Sequence, residues 1–152
     1  MHPRTLRWFQ QYAADHQHPT NRLTHKIAIP VILFHIFAML WKLPLAGDTL
    51  PWLTAGLLAG IGSAVFWIVH LPRAGTVLSV VTFVLGPLGA MLSWPLLVGL
   101  AIVGWTVQLA GHSVWEKNRP SFLTNIFQSL VGPLFFTALL TGEWPRRPSP
   151  VT

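Results

Sequence analysis

Histidine and carboxylate side chains in two separated segments of this chain could together bind a metal ion. The chain has 152 residues, with seven histidines, four acidic residues and no cysteine. The absence of cysteine excludes a disulfide framework, a thiolate metal site and a cysteine nucleophile. A metal ion would therefore have to be held by imidazole nitrogen and carboxylate oxygen.

The later of these segments runs from Gln108 to Pro120. Gln108, His112 and Glu116 recur every four residues, which places them on one face of an α-helix, and Pro120 predicts the end of that helix. An imidazole and a carboxylate one turn apart can chelate one cation, although such pairs are more often ordinary exposed pairs. We predict that His112 and Glu116 bind the metal and that Gln108 orients a ligand ring.

The earlier segment contains His16 and His25. Pro19 and Thr20-Asn21 predict a turn followed by a helix N-cap, so that His25 lies about one turn into the following helix. The loop could fold His16 back over that helix, with Asn21 orienting a ring. Alternatively, these histidines are solvated polar residues at an interface. The predicted ligands of one shared site are His16, His25, His112 and Glu116.

The rest of the chain has the composition of a membrane protein. Only 9% of its residues are charged and 52% are hydrophobic, whereas soluble domains carry about 25% charged residues. The predicted spans are residues 27–45, 49–71, 74–92 and 95–111, long enough for a hydrocarbon core of about 30 Å. We expect an all-α integral membrane bundle. Its four crossings bring residues 1–26 and 112–120 to the same membrane face.

Both ends of the chain are predicted to lie at the membrane surface. An apolar stripe that includes Phe9 and Tyr12 predicts an interfacial helix within residues 1–26. Residues 121–141 contain a Gly132-Pro133 break and fit a re-entrant segment, a fifth span or an interfacial helix. Residues 142–152 form a tail, and the whole chain, residues 1–152, is one membrane domain.

The basic residues predict the orientation of this domain. One side receives Arg4, Arg7, Arg22, Lys26, Arg73, Lys117 and Arg119. The opposite side receives only Lys42, whose stem could extend to the interface. By the positive-inside rule, the N-terminus is cytoplasmic. The net charge of +6 does not predict nucleic-acid binding, because the basic residues form no cluster.

Two further histidines, His35 and His70, lie within the predicted spans. Haem ligation by this pair is disfavoured, because the topology places them at different depths and bis-histidine ligation needs matching depths. We expect His35 to be hydrogen-bonded inside the bundle. His70 lies near the proposed site and could ligate the metal or orient a ligand.

The two segments and the spans between them resemble a known family. The matching residues are His16-x-x-Pro19-x-Asn21-x-x-x-His25, Gln108-x-x-Gly111-His112-x-x-x-Glu116-Lys117-x-x-Pro120, Gln128-Ser129-Leu130 and Gly132-Pro133. This pattern resembles the small membrane proteins of the yeast-type 2-hydroxy fatty acid dioxygenase family. The resemblance extends from Tyr12 to about Phe136. The chain departs from the pattern at Gln17-His18, where the yeast-type sequence has His-Asn, which weakens any role for His18.

The resemblance implies an Fe(II)-dependent dioxygenase that uses O2 to shorten a 2-hydroxy fatty acid by one carbon in α-oxidation. It implies that His16, His25 and His112 bind Fe2+, with Glu116 as the matching carboxylate. Three basic side chains could hold the substrate carboxylate or simply anchor the membrane topology. These are Arg22, Lys117 and Arg119. The compact chain is typical of a bacterial protein, which predicts an inner-membrane location.

Two other functions remain open from the sequence. A non-catalytic membrane scaffold or carrier could use the same polar face to bind a partner. A zinc-dependent membrane hydrolase could use the same histidine and glutamate ligands. The G-x-S-x-G, Walker and HEXXH motifs are absent, which excludes the commonest hydrolase and nucleotide sites. The sequence leaves the oligomeric state open.

Overall fold

The computed structural model describes residues 1–117 and 126–145, and these residues form helices without strands. The helices are α1 (Pro3–Ala14), α2 (Pro19–Trp41), α3 (Ala55–His70), α4 (Pro72–Gly89), α5 (Trp94–Ala110) and α6 (Gln128–Leu140). A π-helical turn, Gly111–Glu116, continues directly from α5, and a short 3-10 turn lies at Gly47–Thr49. The predicted all-α bundle is thus confirmed.

The long helices of the bundle have the dimensions of membrane spans. Among the described residues, three helical segments are long and apolar enough to cross a membrane, namely Pro19–Trp41, Pro72–Gly89 and Trp94–Glu116. Helix α3 is also apolar but shorter. Helix α2 packs against α3, α4 and α5. We use the name histidine end for the end of the bundle where α2 and α4 begin and α3 and α5 finish.

Helix α2 begins well before the first predicted span. Its first residue is Pro19, a residue whose fixed φ suits the first helical position, and His18 Nδ1 caps it by accepting a hydrogen bond from the Thr20 N–H. His18 is therefore the N-cap, before the Thr20-Asn21 position that the sequence pattern suggested. As a result, Asn21 and His25 are buried on the first turns of a membrane-length helix.

The second predicted span is shortened at its start. Helix α3 begins at Ala55, where the Thr54 hydroxyl caps it by accepting from the Leu57 N–H. The preceding residues form a connection in which Pro44 and Thr54 make an isolated antiparallel bridge. Residues 49–54 therefore belong to a loop at the far end of the bundle.

Lys42 makes hydrogen bonds to backbone carbonyls at this far end. Its ammonium group donates hydrogen bonds to the carbonyl oxygens of Ala90 (2.7 Å) and Leu92 (3.0 Å). These carbonyls follow the last turn of α4 and would otherwise lack helical partners. Lys42 also lies 5.8 Å from the ring centroid of Trp94. The Lys42 ammonium group thus links the end of α2 to the connection between α4 and α5.

Helix α6 is hydrogen-bonded to the histidine end of the bundle near its first residue and just after its last residue. Near its start, the Leu130 carbonyl accepts a hydrogen bond from the Trp67 indole in the last turns of α3. Just after its end, Glu143 accepts from the Ala74 N–H in the first turn of α4. Helix α1 packs on α6 through Phe9 and Phe135, whose ring centroids are 5.3 Å apart. Helices α1 and α6 thus cover this end together.

Candidate metal centre and its cavity

Three buried histidines from three parts of the chain meet at the histidine end. His16 follows α1, His25 lies in α2 and His112 lies in the π-helical turn. Among the described residues, these three form a group whose ligand atoms all lie within 4.8 Å of one another. The side chains are 4%, 0% and 1% exposed, respectively. The structure therefore brings together three of the four ligands that the sequence predicted.

His16 is held by the last turn of α1. Its Nδ1 lies 2.7 Å from the Tyr12 carbonyl oxygen, one of the helix-terminal carbonyls that lack a partner within the helix. The two rings stack at 4.1 Å with an angle of 14° between their planes. Because Nδ1 donates to Tyr12, Nε2 carries the lone pair, and this buried atom has no hydrogen-bond partner in the described part of the chain.

Burial also keeps the His16 ring neutral. It lowers the pKa of His16 from 6.5 to about 4, partly opposed by the hydrogen bond to Tyr12. A neutral imidazole with its second nitrogen fixed by a backbone carbonyl is the form that binds metal ions. His16 is therefore prepared to bind a metal at neutral pH.

His25 is oriented in a similar way. Its Nδ1 lies 2.9 Å from the Asn21 carbonyl oxygen, so that Nε2 presents its lone pair to the site. Two nitrogens lie close to this atom, Gln108 Nε2 at 2.8 Å and His112 Nε2 at 2.9 Å. The Nε2 atoms of both imidazoles therefore point into the same small space, from which each could donate its lone pair to a metal ion. Gln108 and Asn21 thus contact the ring that they were predicted to orient.

His112 reaches the site from an unexpected backbone conformation. The sequence predicted one continuous α-helical face through Gln108, His112 and Glu116, but Gly111–Glu116 is π-helical and ends at Lys117, whose φ is +53°. Single π-helical turns are rare and often occur at functional sites. His112 is the second and Glu116 the last residue of this turn.

Gly111 permits α2 and the end of α5 to approach closely. A Cβ atom at this position would collide with Asn21 Oδ1 and would lie 2.6 Å from Thr24 Oγ1. It would also lie 3.3 Å from His25 Cε1. A side chain at this position would therefore force Asn21 and Thr24 to move, beside the His25 ring.

Glu116 contacts the backbone that carries His25. Its Oε1 accepts hydrogen bonds from the His18 N–H (2.7 Å) and from Asn21 Nδ2 (3.1 Å). The carboxylate is thus directed at the start of α2 and does not belong to the three-histidine group. It links the π-helical turn to the first turn of α2.

The other predicted site residues that the structure describes do not belong to the three-histidine group. His70 Nδ1 donates a hydrogen bond to the Phe66 carbonyl, and the ring packs on Trp8, with ring centroids 5.0 Å apart. Arg22 lines a different groove, on the α4 side of α2. Lys117 is exposed, and Arg119 lies outside the described residues. His35 is buried and bonded to the Val31 carbonyl, as expected.

A cavity of about 240 Å³ leads from the histidines into the apolar interior. Its polar end is formed by His16, His112, Gln108 and Gln128. The remaining walls are mainly apolar side chains of α2, including Leu33, Ile36, Phe37 and Leu40. At about 1.5 Å per residue, α2 is about 22 Å long from His25 to Leu40. We call this space the histidine cavity.

The sequence interpretation missed several residues of this site. Tyr12 supports His16 by ring stacking and by accepting a hydrogen bond at its carbonyl. The sequence signal for this role is that Tyr12 precedes His16 by four residues, about one helical turn. Trp105 and Gln128 line the histidine cavity. Gln128 belonged to the matching pattern without a role, and its buried Oε1 has no hydrogen-bond partner within the described residues.

The fold and site together define a helical membrane protein with a buried three-histidine centre that opens into an apolar cavity. A sequence model described as 2-hydroxy-palmitic acid dioxygenase Mpo1-like matches residues 4–144. The 2-hydroxy-palmitic acid dioxygenase MPO1 of Saccharomyces cerevisiae is 34% identical over 128 residues, covering 82% of this chain and 72% of the yeast protein. The chain belongs to the Mpo1-like family. No solved structure matches it.

Proposed function

We propose that this protein is an Fe2+-dependent dioxygenase that shortens 2-hydroxy fatty acids by one carbon. The observation that carries the proposal is the convergence of three buried imidazoles, two of which, His16 and His112, line the polar end of an apolar cavity. Membership of a family described as 2-hydroxy-palmitic acid dioxygenases supports the oxidoreductase class. His16, His25 and His112 would hold the metal. Their nitrogen donors suit iron and leave positions for other ligands.

The histidine cavity is suited to a fatty acid whose reacting end is polar. The acyl chain would lie along α2 beside Leu33, Ile36 and Leu40, where burial contributes about 0.8 kcal/mol per methylene. The carboxylate and 2-hydroxyl would lie at the histidines. There, Gln128 Oε1 is placed to accept a hydrogen bond from the hydroxyl, because it is buried in the cavity wall without a partner among the described residues.

The overall reaction balances with one O2. A 2-hydroxy acid and O2 give the acid one carbon shorter, CO2 and water, with cleavage of the bond between C1 and C2. Bound Fe2+ would supply the redox chemistry that a protein side chain cannot. The polypeptide holds the reacting carbons at the histidines and excludes bulk water from them, since all three rings are buried.

Glu116 and Asn21 would act by positioning His25. Glu116 holds the Asn21 side chain, and the Asn21 backbone carbonyl fixes the His25 ring. Such partners set ring orientation and basicity, and their loss typically costs 10-fold to 100-fold in metal affinity or activity. In this arrangement, Glu116 does not bind the metal itself but helps to hold His25 in place.

We place the histidine end at the cytoplasmic face of the membrane, in a bacterial inner membrane. The basic residues Arg22, Lys26 and Arg73 are near the starts of α2 and α4, at the histidine end. Lys42 is at the other end. The positive-inside rule then orients the bundle.

Anaerobic reconstitution with Fe2+ followed by product analysis tests the function. With 2-hydroxypalmitate labelled with 13C at C1, we expect equal amounts of pentadecanoic acid, labelled CO2 and consumed O2. Hexadecanoic acid, which lacks the hydroxyl, is the matched control and should not be turned over.

Two outcomes would point to the other candidate functions. Hydrolysis of an ester or amide with Zn2+ and without O2 consumption would favour a hydrolase that uses the same histidines. Absence of bound metal after anaerobic preparation, together with no turnover, would favour a scaffold or carrier. Either result would overturn the proposed dioxygenase.

A further inference from the structure

A second, larger apolar space lies on the opposite side of α2. This groove, which we call the α4 groove, is bounded by α2, α4 and α6 and has a volume of about 680 Å³, nearly three times the 240 Å³ of the histidine cavity. It is open to the surroundings of the bundle, because Val77, Val81 and Leu85 on its α4 wall are more than 40% exposed. In a membrane, this side faces lipid.

Two basic side chains lie at one end of the α4 groove. Arg22 and Lys26 are one turn apart on the exposed side of α2, and both line the groove. Arg73, also exposed, is in the first turn of α4 and one turn before Val77. The acidic Glu143 nearby accepts hydrogen bonds from the Ala74 N–H and the Thr141 hydroxyl. Because three basic side chains outnumber this one carboxylate, the histidine end of the groove carries a net positive charge.

The interior of the α4 groove suits hydrocarbon. Its two hydroxyl groups are already engaged, since Thr82 donates to the Leu78 carbonyl and Thr137 donates to the Pro133 carbonyl. The other lining residues below the basic end are apolar or glycine. A molecule bound here would place acyl chains against α4 and a negatively charged group beside Arg22 and Lys26.

The groove and the metal centre are separate. None of the three histidines lines the groove, although Ile29, Leu33, Phe37 and Pro133 line both spaces and form a shared wall. The volume of the groove, about 680 Å³, and its open side fit a two-chain lipid better than a single acyl chain. Two cations one helical turn apart suit a phosphate, to which arginine can donate two parallel hydrogen bonds.

We propose that the α4 groove binds an anionic glycerophospholipid from the surrounding bilayer. Its phosphate lies at Arg22 and Lys26, and its acyl chains lie between α4 and α6. Basic pockets between membrane helices on the cytoplasmic side recognise lipid headgroups in this manner. Lipid binding at this site requires neither a bound metal nor catalytic turnover.

Native mass spectrometry of the purified full-length protein can test the site. The protein is mixed with equal amounts of phosphatidylglycerol and phosphatidylcholine that carry the same acyl chains. We expect the wild type to retain phosphatidylglycerol with a preference of at least about fivefold, the effect of one basic side chain close to an anionic lipid. The Arg22→Gln/Lys26→Gln variant should lose that preference.

Matched variants separate a defined site from general charge attraction. Arg4→Gln/Arg7→Gln removes the same charge from exposed positions on α1 and should keep the preference. Val81→Trp should lower retention of both lipids by filling the groove. Equal retention of the two lipids by the wild type, or equal loss in both double variants, would overturn the proposal. Displacement of phosphatidylglycerol by micromolar palmitate would instead identify a fatty-acid site and overturn it as well.

Discussion

His25 Nε2 and His112 Nε2 lie 2.9 Å apart, although 87 positions separate the two residues in the chain. The contact forms because α2 and the π-helical turn after α5 meet at the same end of the bundle. With His16, the pair creates a set of ligand nitrogens that no single segment could supply.

Removal of either contacting histidine should empty the metal centre. For His25→Ala and His112→Ala, we expect loss of bound iron and a fall in turnover of more than about 100-fold, exceeding the effect of losing an orienting partner. Iron per protein is measured by mass spectrometry after anaerobic reconstitution. The control, His70→Ala, should retain iron because His70 packs on Trp8 and Phe66. Retention of iron by H25A or H112A would remove that residue from the site.

Replacement of Glu116 distinguishes a positioning role from ligation. Glutamine keeps an oxygen that can accept the hydrogen bonds from His18 and Asn21, whereas alanine does not. Glu116→Gln should therefore keep iron affinity within about 10-fold, and Glu116→Ala should lower it by about 10-fold to 100-fold. Titration with Fe2+ under anaerobic conditions measures both. Equally complete loss of iron in the two variants would show that the carboxylate is itself a ligand.

A methyl group at Gly111 should damage both stability and metal binding. The added Cβ collides with Asn21 and crowds Thr24, and overpacking of this kind typically costs about 1–3 kcal/mol. We expect Gly111→Ala to lower Tm and to lose iron in the folded fraction. Gly99→Ala is the matched control, because nothing lies within 4 Å of a Cβ there. An unchanged Tm and iron content in G111A would contradict the close approach.

The length of the histidine cavity should limit the acyl chain. Ile36 lies about 16 Å along α2 from His25 at about 1.5 Å per residue, and it lines the cavity wall. Ile36→Trp should lower turnover of 2-hydroxypalmitate by at least about 10-fold, while 2-hydroxyoctanoate is still used. Ile102→Trp, on the exposed side of α5, should leave both rates unchanged. A parallel loss of both substrates in I36W would argue against an acyl chain in this cavity.

The orientation of the bundle can be tested by labelling single cysteines, since the natural chain contains none. Gln17→Cys and Ser113→Cys lie at the histidine end, and Asp48→Cys lies in the loop between α2 and α3. In intact cells, an impermeant maleimide should label only the Asp48 position. Inverted membrane vesicles should give the reverse pattern. Labelling of positions 17 and 113 from outside would place the metal centre on the other face.

The sequence alone predicted the membrane bundle and the family, together with the histidines that meet. Long apolar runs are favourable only in a lipid or protein interior, so composition and length indicate the spans without knowledge of their packing. The count of crossings then required residues 16, 25 and 112 to share one end. These predictions depend on the length and composition of continuous segments, which the sequence provides without knowledge of distant contacts.

The tertiary structure decided how each side chain at that end is used. The π-helical turn directs Glu116 to Asn21, Lys42 binds the carbonyls after α4, and Arg22 lines the α4 groove. Each outcome depends on the direction of a helix end relative to a distant helix. Sequence spacing cannot supply this direction, because a change of one residue in the helical turn redirects the side chains that follow. Contacts between distant segments therefore determine which of the available polar groups face the metal centre.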